Sequence, residues 1–129
     1  MQAELFKRNA VIFMQDEMQQ LLYHDALTAN GYAVQDASSA SDLMGKISCS
    51  TDLIFLDVDA VNEDSVKIIS KKAKEKNYKA PLIGLSVAED AVNDECFSAV
   101  IKKPIFIDDM IAEIDNAFYR LNELNLQAV

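Results

Sequence analysis

Short apolar runs alternate along the chain with polar stretches of helical spacing. Ala10 to Met14 (Ala-Val-Ile-Phe-Met), Leu53 to Leu56 (Leu-Ile-Phe-Leu) and Pro81 to Leu85 (Pro-Leu-Ile-Gly-Leu) are too short to be helices. They are rich in branched and aromatic side chains, the pattern of strands buried on both faces. Tyr32 to Ala37 alternates weakly and reads as a shorter, edge-like strand, and Phe97 to Ile101 as a fifth. Between the first two runs, Met18, Leu21, Leu22, Ala26 and Ala29 recur as one face of a helix. Asn30-Gly31 ends it, because glycine accepts the left-handed cap conformation. Ser39 and Asp42 form a capping pair that opens a short second helix, with Ala40, Leu43, Met44 and Ile47 inward. A third helix follows from Asn62, with Val66, Ile69 and Ala73 inward. The acidic stretch Ala88 to Glu95 has room for about two helical turns. The last helix, about Asp108 to Glu123, carries a broad stripe of Ile107, Met110, Ile111, Ile114, Phe118, Leu121 and Leu124.

Strand followed by helix, repeated, predicts an α/β domain: a parallel sheet with helices on both faces and right-handed crossovers. With 129 residues, half of them apolar, the chain suits a single domain over residues 1–129 with one core. Three glycines and two prolines leave little scope for disordered linkers. No apolar run approaches the ~20 residues of a membrane span. The start, Met1-Gln-Ala-Glu-Leu-Phe-Lys-Arg, lacks the basic and apolar regions of a signal peptide, so the expected location is cytoplasmic. A net charge of −9 argues against nucleic acid or anionic lipid as a direct partner, and suits a basic protein or a divalent cation. Cys49 and Cys96 have no partners at zinc spacing and read as reduced thiols. His24, the single histidine, falls off the apolar face of its helix and reads as a solvated surface residue. Six basic residues between Lys67 and Lys79 read as a solvated helix end, favoured by the helix dipole.

The candidate chemistry lies where strands end. In an open parallel sheet, sites form beyond the carboxyl ends of the strands, near the point where strand order reverses. The first strand runs into Gln15-Asp16-Glu17, the third into Asp57, the fourth into Ser86 and the fifth into Lys103-Pro104. A flavodoxin-like (βα)5 doubly wound sheet, order 2-1-3-4-5, makes these ends neighbours. A carboxylate at the end of a buried strand, as Asp57 would be, is costly unless paired. Asp16 and Asp57 could share a magnesium ion through oxygen ligands. One oxygen of Asp57 could attack phosphorus and form an aspartyl phosphate, with the Lys103 ammonium and the Ser86 hydroxyl holding the phosphoryl oxygens.

These residues, in this order, resemble a CheY-like receiver domain of the response regulators of two-component signalling, over about Asn9 to Leu124. The resemblance implies that Asp57 is the phosphoacceptor, served by a sensor histidine kinase or a histidine phosphotransfer protein. It implies Mg2+ as cofactor, held by Asp16, Asp57 and the backbone carbonyl of Asp59, with Ser86 and Lys103 binding phosphate and Gln15 and Glu17 as neighbours of the acidic pocket. It also implies a homodimer surface on the face of the fourth and last helices.

The chain departs from the family pattern at several points. Gln15 stands where the first of two adjacent acids is usual, and Val100 takes the aromatic switch position three residues before the lysine. The fourth helix is shortened. Gln15 is expected to weaken magnesium binding without abolishing it, and on the grounds of Val100 and the shortened helix phosphorylation is expected to be read out in an unusual way or not at all. The alternative function is a degenerate receiver that binds a protein partner without phosphorylation. A more distant alternative is a haloacid-dehalogenase-type phosphohydrolase, with Asp57 as nucleophile and Asp59 as acid/base. Otherwise the chain is expected to be a signalling protein and no enzyme beyond self-phosphorylation and autodephosphorylation.

Overall fold

The computed structural model describes residues 8–77, 79–87, 96–103 and 107–127, with residues 107 and 120–127 described by backbone alone. Along the chain run β1 (Arg8–Phe13), α1 (Glu17–Ala29), β2 (Tyr32–Asp36), α2 (Ala40–Lys46), β3 (Leu53–Asp57), a 3₁₀ turn (Val58–Ala60), α3 (Glu63–Asn77), β4 (Leu82–Ser86), β5 (Ala99–Lys102) and α4 (Ile107–Gln127). All strand pairs are parallel and the sheet order is β2-β1-β3-β4-β5, the order expected. The shortened fourth helix expected at Ala88 to Glu95 lies outside the described residues, as does Pro104. The dimer face expected there is therefore described only where α4 contributes to it.

Alternation along the strands sorts the core into two layers. On one face, Ala10, Ile12, Leu53, Phe55, Ile83 and Leu85 pack with Tyr23 and Leu27 of α1 and Met110, Ile114 and Ala117 of α4. On the other, Val11, Phe13, Ile54, Leu56 and Leu82 pack with Leu43 of α2 and Val66, Ile69 and Ala73 of α3. Both faces of β3 are covered, and all five of its residues are buried. That is why its sequence shows no alternation. The described part of the α4 stripe, Met110, Ile111, Ile114 and Phe118, packs on the sheet, Ile111 and Phe118 only partly buried, with Ala117 buried beside them. The side chains of Ile107, Leu121 and Leu124 lie outside the described residues.

One helix turns a different face inward from the one expected. Met18, Leu21, Leu22 and Ala29 of α1 are exposed, while Tyr23 and Leu27 are buried. The polar anchoring of Gln20 accounts for the phase. Its Oε1 accepts from Met14 N at 2.7 Å, and its Nε2 donates to Ile12 O at 3.2 Å and to Asp36 Oδ1 at 2.6 Å. Gln20 supplies the acceptor for Met14 N where β1 ends, so that amide is not left unpaired at a cost of about 1–3 kcal/mol. His24 is likewise not freely solvated: its ring is partly buried and Nδ1 lies 2.9 Å from Asp36 Oδ2.

Local signals set the remaining boundaries. Ser39 caps α2 by accepting from Asp42 N at 3.0 Å, and Asp42 Oδ2 accepts from Ser38 N at 2.9 Å, so the reciprocal bond goes to the residue before the cap. Asn62 Oδ1 accepts from Ser65 N at 2.8 Å at the start of α3. Gly31, at φ +92°, supplies the turn from α1 into β2. Gly84 serves a different need. It is buried in β4, where a Cβ would lie 2.9 Å from both Phe97 Cε1 and Val58 Cγ2. Gly84→Ala is therefore expected to overpack this layer and cost about 1–3 kcal/mol. The check is the urea midpoint, which should fall; an unchanged midpoint would show that Phe97 and Val58 can move aside freely.

Candidate functional site

Asp57, the last residue of β3, is 3% exposed. Three donors from different parts of the chain meet its carboxylate. Gln15 N, just beyond β1, donates to Oδ2 at 3.1 Å. Asp59 N, in the 3₁₀ turn, donates to Oδ1 at 3.2 Å. Lys103 Nζ, just beyond β5, donates to Oδ1 at 2.6 Å. The lysine is placed by the sheet itself, because Lys103 N donates to Ser86 O at 2.8 Å and so carries the β4–β5 pairing one residue further. Both partners of the Asp57–Lys103 pair have side chains less than a tenth exposed. Each charge thereby compensates the other's desolvation.

A second carboxylate shares the lysine. Asp59 Oδ2 lies 3.3 Å from Lys103 Nζ and accepts from Val87 N at 2.9 Å, while Asp59 Oδ1 accepts from Ser86 Oγ at 2.8 Å. Burial pushes the Asp59 carboxyl up, but the bonds from Ser86 and Val87 and the nearby ammonium outweigh it and hold its pKa below the ordinary 3.8. For Lys103, burial pushes the pKa down, and the bonds and charges of Asp57 and Asp59 reverse this, raising it above the ordinary 10.5. The signs follow by linkage. The Asp59 contribution to stability is in place above 3.8 and is lost as pH falls through its lowered value. The Lys103 contribution is in place below 10.5 and is lost as pH rises through its raised value.

The structure thus brings together Asp57, Asp59, Ser86 and Lys103, with Gln15 contributing its backbone N–H. Asp16 stands apart from this set. Exposed at the start of α1, it caps that helix, its Oδ1 accepting from Met18 N at 2.8 Å and from Gln19 N at 3.4 Å. Glu17 is exposed in the first turn of α1. Val100 is partly buried on β5 and packs against the core layer that contains Phe97. Among the described residues, no three of His, Cys, Asp and Glu gather as a metal-binding group. Asp16, Asp57 and the Asp59 carbonyl offer hard oxygens, the donor type that magnesium takes.

Sequence reasoning assigned Asp59 a backbone role or an acid/base role, and missed its side chain as the acceptor for Ser86 and Val87. Its position two residues after Asp57, in a turn off the strand end, was the available signal. The Gln20–Asp36–His24 set was also missed. Those residues line a groove of about 760 Å³ beyond Gln15, between α1 and the start of α2, which Asp57, Ser86 and Lys103 do not line.

The chain has the fold of solved CheY-like receiver domains, a five-stranded parallel sheet in this order with helices between the strands. The similarity extends to a CheY-like receiver domain from Methanospirillum hungatei JF-1, with TM-score 0.78 and 18% identity, covering 92% of this chain and 98% of that one. A receiver domain from Clostridium thermocellum aligns with TM-score 0.73 and 19% identity, over 91% and 98% of the two chains. A Rhodopirellula baltica protein described as an adenylate cyclase aligns with TM-score 0.73 and 15% identity, over 95% and 96%. No protein-family model matches the chain, and no curated protein matches it. Identities this low speak for the fold, and function rests on the site.

Removing Lys103 would leave the Asp57 charge buried without its partner. Lys103→Met is expected to cost about 3–5 kcal/mol of stability, and adding Asp57→Asn to recover most of it, as read from urea denaturation. A Lys103→Met loss below about 1 kcal/mol, the range of exposed ion pairs, would show that the pair compensates no buried charge.

Proposed function

We propose that this chain is a phosphoacceptor receiver domain, taking a phosphoryl group onto Asp57 from the phosphohistidine of a sensor histidine kinase or a histidine phosphotransfer protein. The observation that carries the reading is the pairing of a buried Asp57 with Lys103 at 2.6 Å, beside the Ser86 hydroxyl, on a receiver fold. In the transfer, a carboxylate oxygen of Asp57 forms a bond to phosphorus as the phosphorus–nitrogen bond to the donor imidazole breaks, its electron pair staying on the imidazole. Gln15 N–H and Asp59 N–H orient the carboxylate for attack. Lys103 stabilises the added negative charge and needs only to shift its contact from carboxylate to phosphoryl oxygen. Asp16, Asp57 and the Asp59 carbonyl would hold Mg2+, which supplies further neutralisation of the incoming phosphoryl charge. The reading implies a cytoplasmic signalling protein, without turnover of its own beyond gaining and losing the phosphoryl group. Among the described residues, no helix is long and apolar enough to cross a membrane.

The degenerate-receiver reading draws on a specific feature, the engagement of Asp16 in capping α1 and of Asp59 on Ser86 and Val87. In that case the Asp57–Lys103 pair is a structural ion pair and the chain serves as a binding module. The phosphohydrolase reading gains nothing from the geometry, because three donors hold the Asp59 carboxylate.

Incubation with acetyl phosphate and Mg2+, followed by intact mass measurement, separates these readings. The expected result is one added phosphoryl group in the wild type and none in Asp57→Asn. No addition to the wild type, or equal addition to both proteins, would contradict phosphoacceptance at Asp57.

A further inference from the structure

The donors that should receive a phosphoryl group are already in use. Lys103 Nζ bridges Asp57 Oδ1 at 2.6 Å and Asp59 Oδ2 at 3.3 Å. The Ser86 hydroxyl has one proton, directed to Asp59 Oδ1 at 2.8 Å, and the Val87 amide has one, directed to Asp59 Oδ2 at 2.9 Å. Asp59 thus gathers a hydroxyl, a backbone N–H and an ammonium around one carboxylate, the set of donors that an anion carried by the neighbouring Asp57 would need.

We propose that Asp59 is a tethered resident anion that fills the phosphoryl-binding seats of the pocket and regulates their occupancy. The proposal rests on the phosphoacceptor reading of Asp57 and goes beyond it, since it assigns a regulatory role to the Asp59 side chain. The competition is intramolecular. The carboxylate sits two residues from the phosphoacceptor, and the backbone N–H of the same residue orients Asp57, so the resident anion is present at high effective concentration. A phosphoryl group on Asp57 must either displace Asp59 from Ser86 and Val87 or share Lys103 with it, and like charges at such range repel. Two consequences follow. Phosphoryl occupancy of Asp57 is held down while Asp59 is present. The backbone where β4 ends also keeps its anion-bound arrangement before phosphate arrives, so Val87 responds little to phosphorylation.

Two variants test the proposal, and both are expected to fold because the Asp59 side chain is 31% exposed. Asp59→Ala vacates the seats, and Asp59→Asn keeps the shape without the charge. The first readout is the Val87 amide proton in 1H–15N spectra with no phosphodonor present. Loss of a charged acceptor should move it upfield, more in the alanine variant than in the asparagine variant. The second is the affinity for beryllofluoride with Mg2+, followed by 19F NMR. It should be about tenfold tighter in Asp59→Ala than in the wild type, equivalent to about 1.4 kcal/mol. An unchanged Val87 amide, or a measurable affinity that is the same in both proteins, would overturn the proposal. A Val87 amide that moves while neither protein forms an adduct removes the phosphoacceptor reading and leaves Asp59 as the resident anion.

Discussion

The structure is organised around one unfavourable act, the burial of a carboxylate at the end of the central strand. Asp57 is almost fully enclosed, and an ionised carboxylate cannot be left there without compensation. The compensation arrives from three separate strand ends: an N–H after β1, an ammonium after β5, and the Asp59 N–H in the turn after β3. None of these groups is close to Asp57 in sequence except Asp59. They meet only because parallel strands in the order 2-1-3-4-5 deliver their carboxyl ends to one edge. The site and the sheet order are therefore one constraint seen at two scales.

The hydrophobic layers serve that constraint by holding register. Phe13 lies opposite Leu56, Asp57 opposite Leu85 and Ser86 opposite Lys102, so the polar groups leave their strands within a residue or two of one another. A slip of one residue would exchange the two core layers, placing on the α1/α4 side the side chains that now pack against α2 and α3. Gly84 shows how tight one of those layers is, since even a methyl group there meets Phe97 and Val58. Packing precision is thus transmitted to the site, where tenths of an ångström separate a strong charge-assisted bond from a weak one.

Much of this was legible in the sequence because its strongest signals are also the physical determinants. Strands buried on both faces must be apolar throughout, so β1, β3 and β4 could be found from composition alone, and their polar followers marked the site. The face of α1 was misread because the leucine periodicity suggested burial of Leu21 and Leu22, whereas the inward position belongs to a glutamine that satisfies the end of β1. Hydrophobic spacing carries no trace of such a bond. The contact of His24, a surface residue as expected, was not foreseen for a related reason, since its partner Asp36 comes from the next strand. The Asp59 side chain escaped because its role as acceptor depends on the donors Val87 N and Ser86 Oγ, 28 and 27 residues further along the chain. Asp16 was correctly placed at a strand end, yet its carboxylate turns to the helix it begins, a competition between cap and pocket that sequence order alone does not decide.

The most direct test of the central claim is to locate the acyl phosphate. The protein would be treated with a phosphodonor and Mg2+, reduced with borohydride, which converts an aspartyl phosphate to homoserine, and digested for tandem mass spectrometry. The account expects the modified residue at position 57 and nowhere else. Modification at Asp59 or Asp16, or its absence from a protein that carries phosphate, would contradict the assignment of Asp57 as the buried nucleophile around which the fold is arranged.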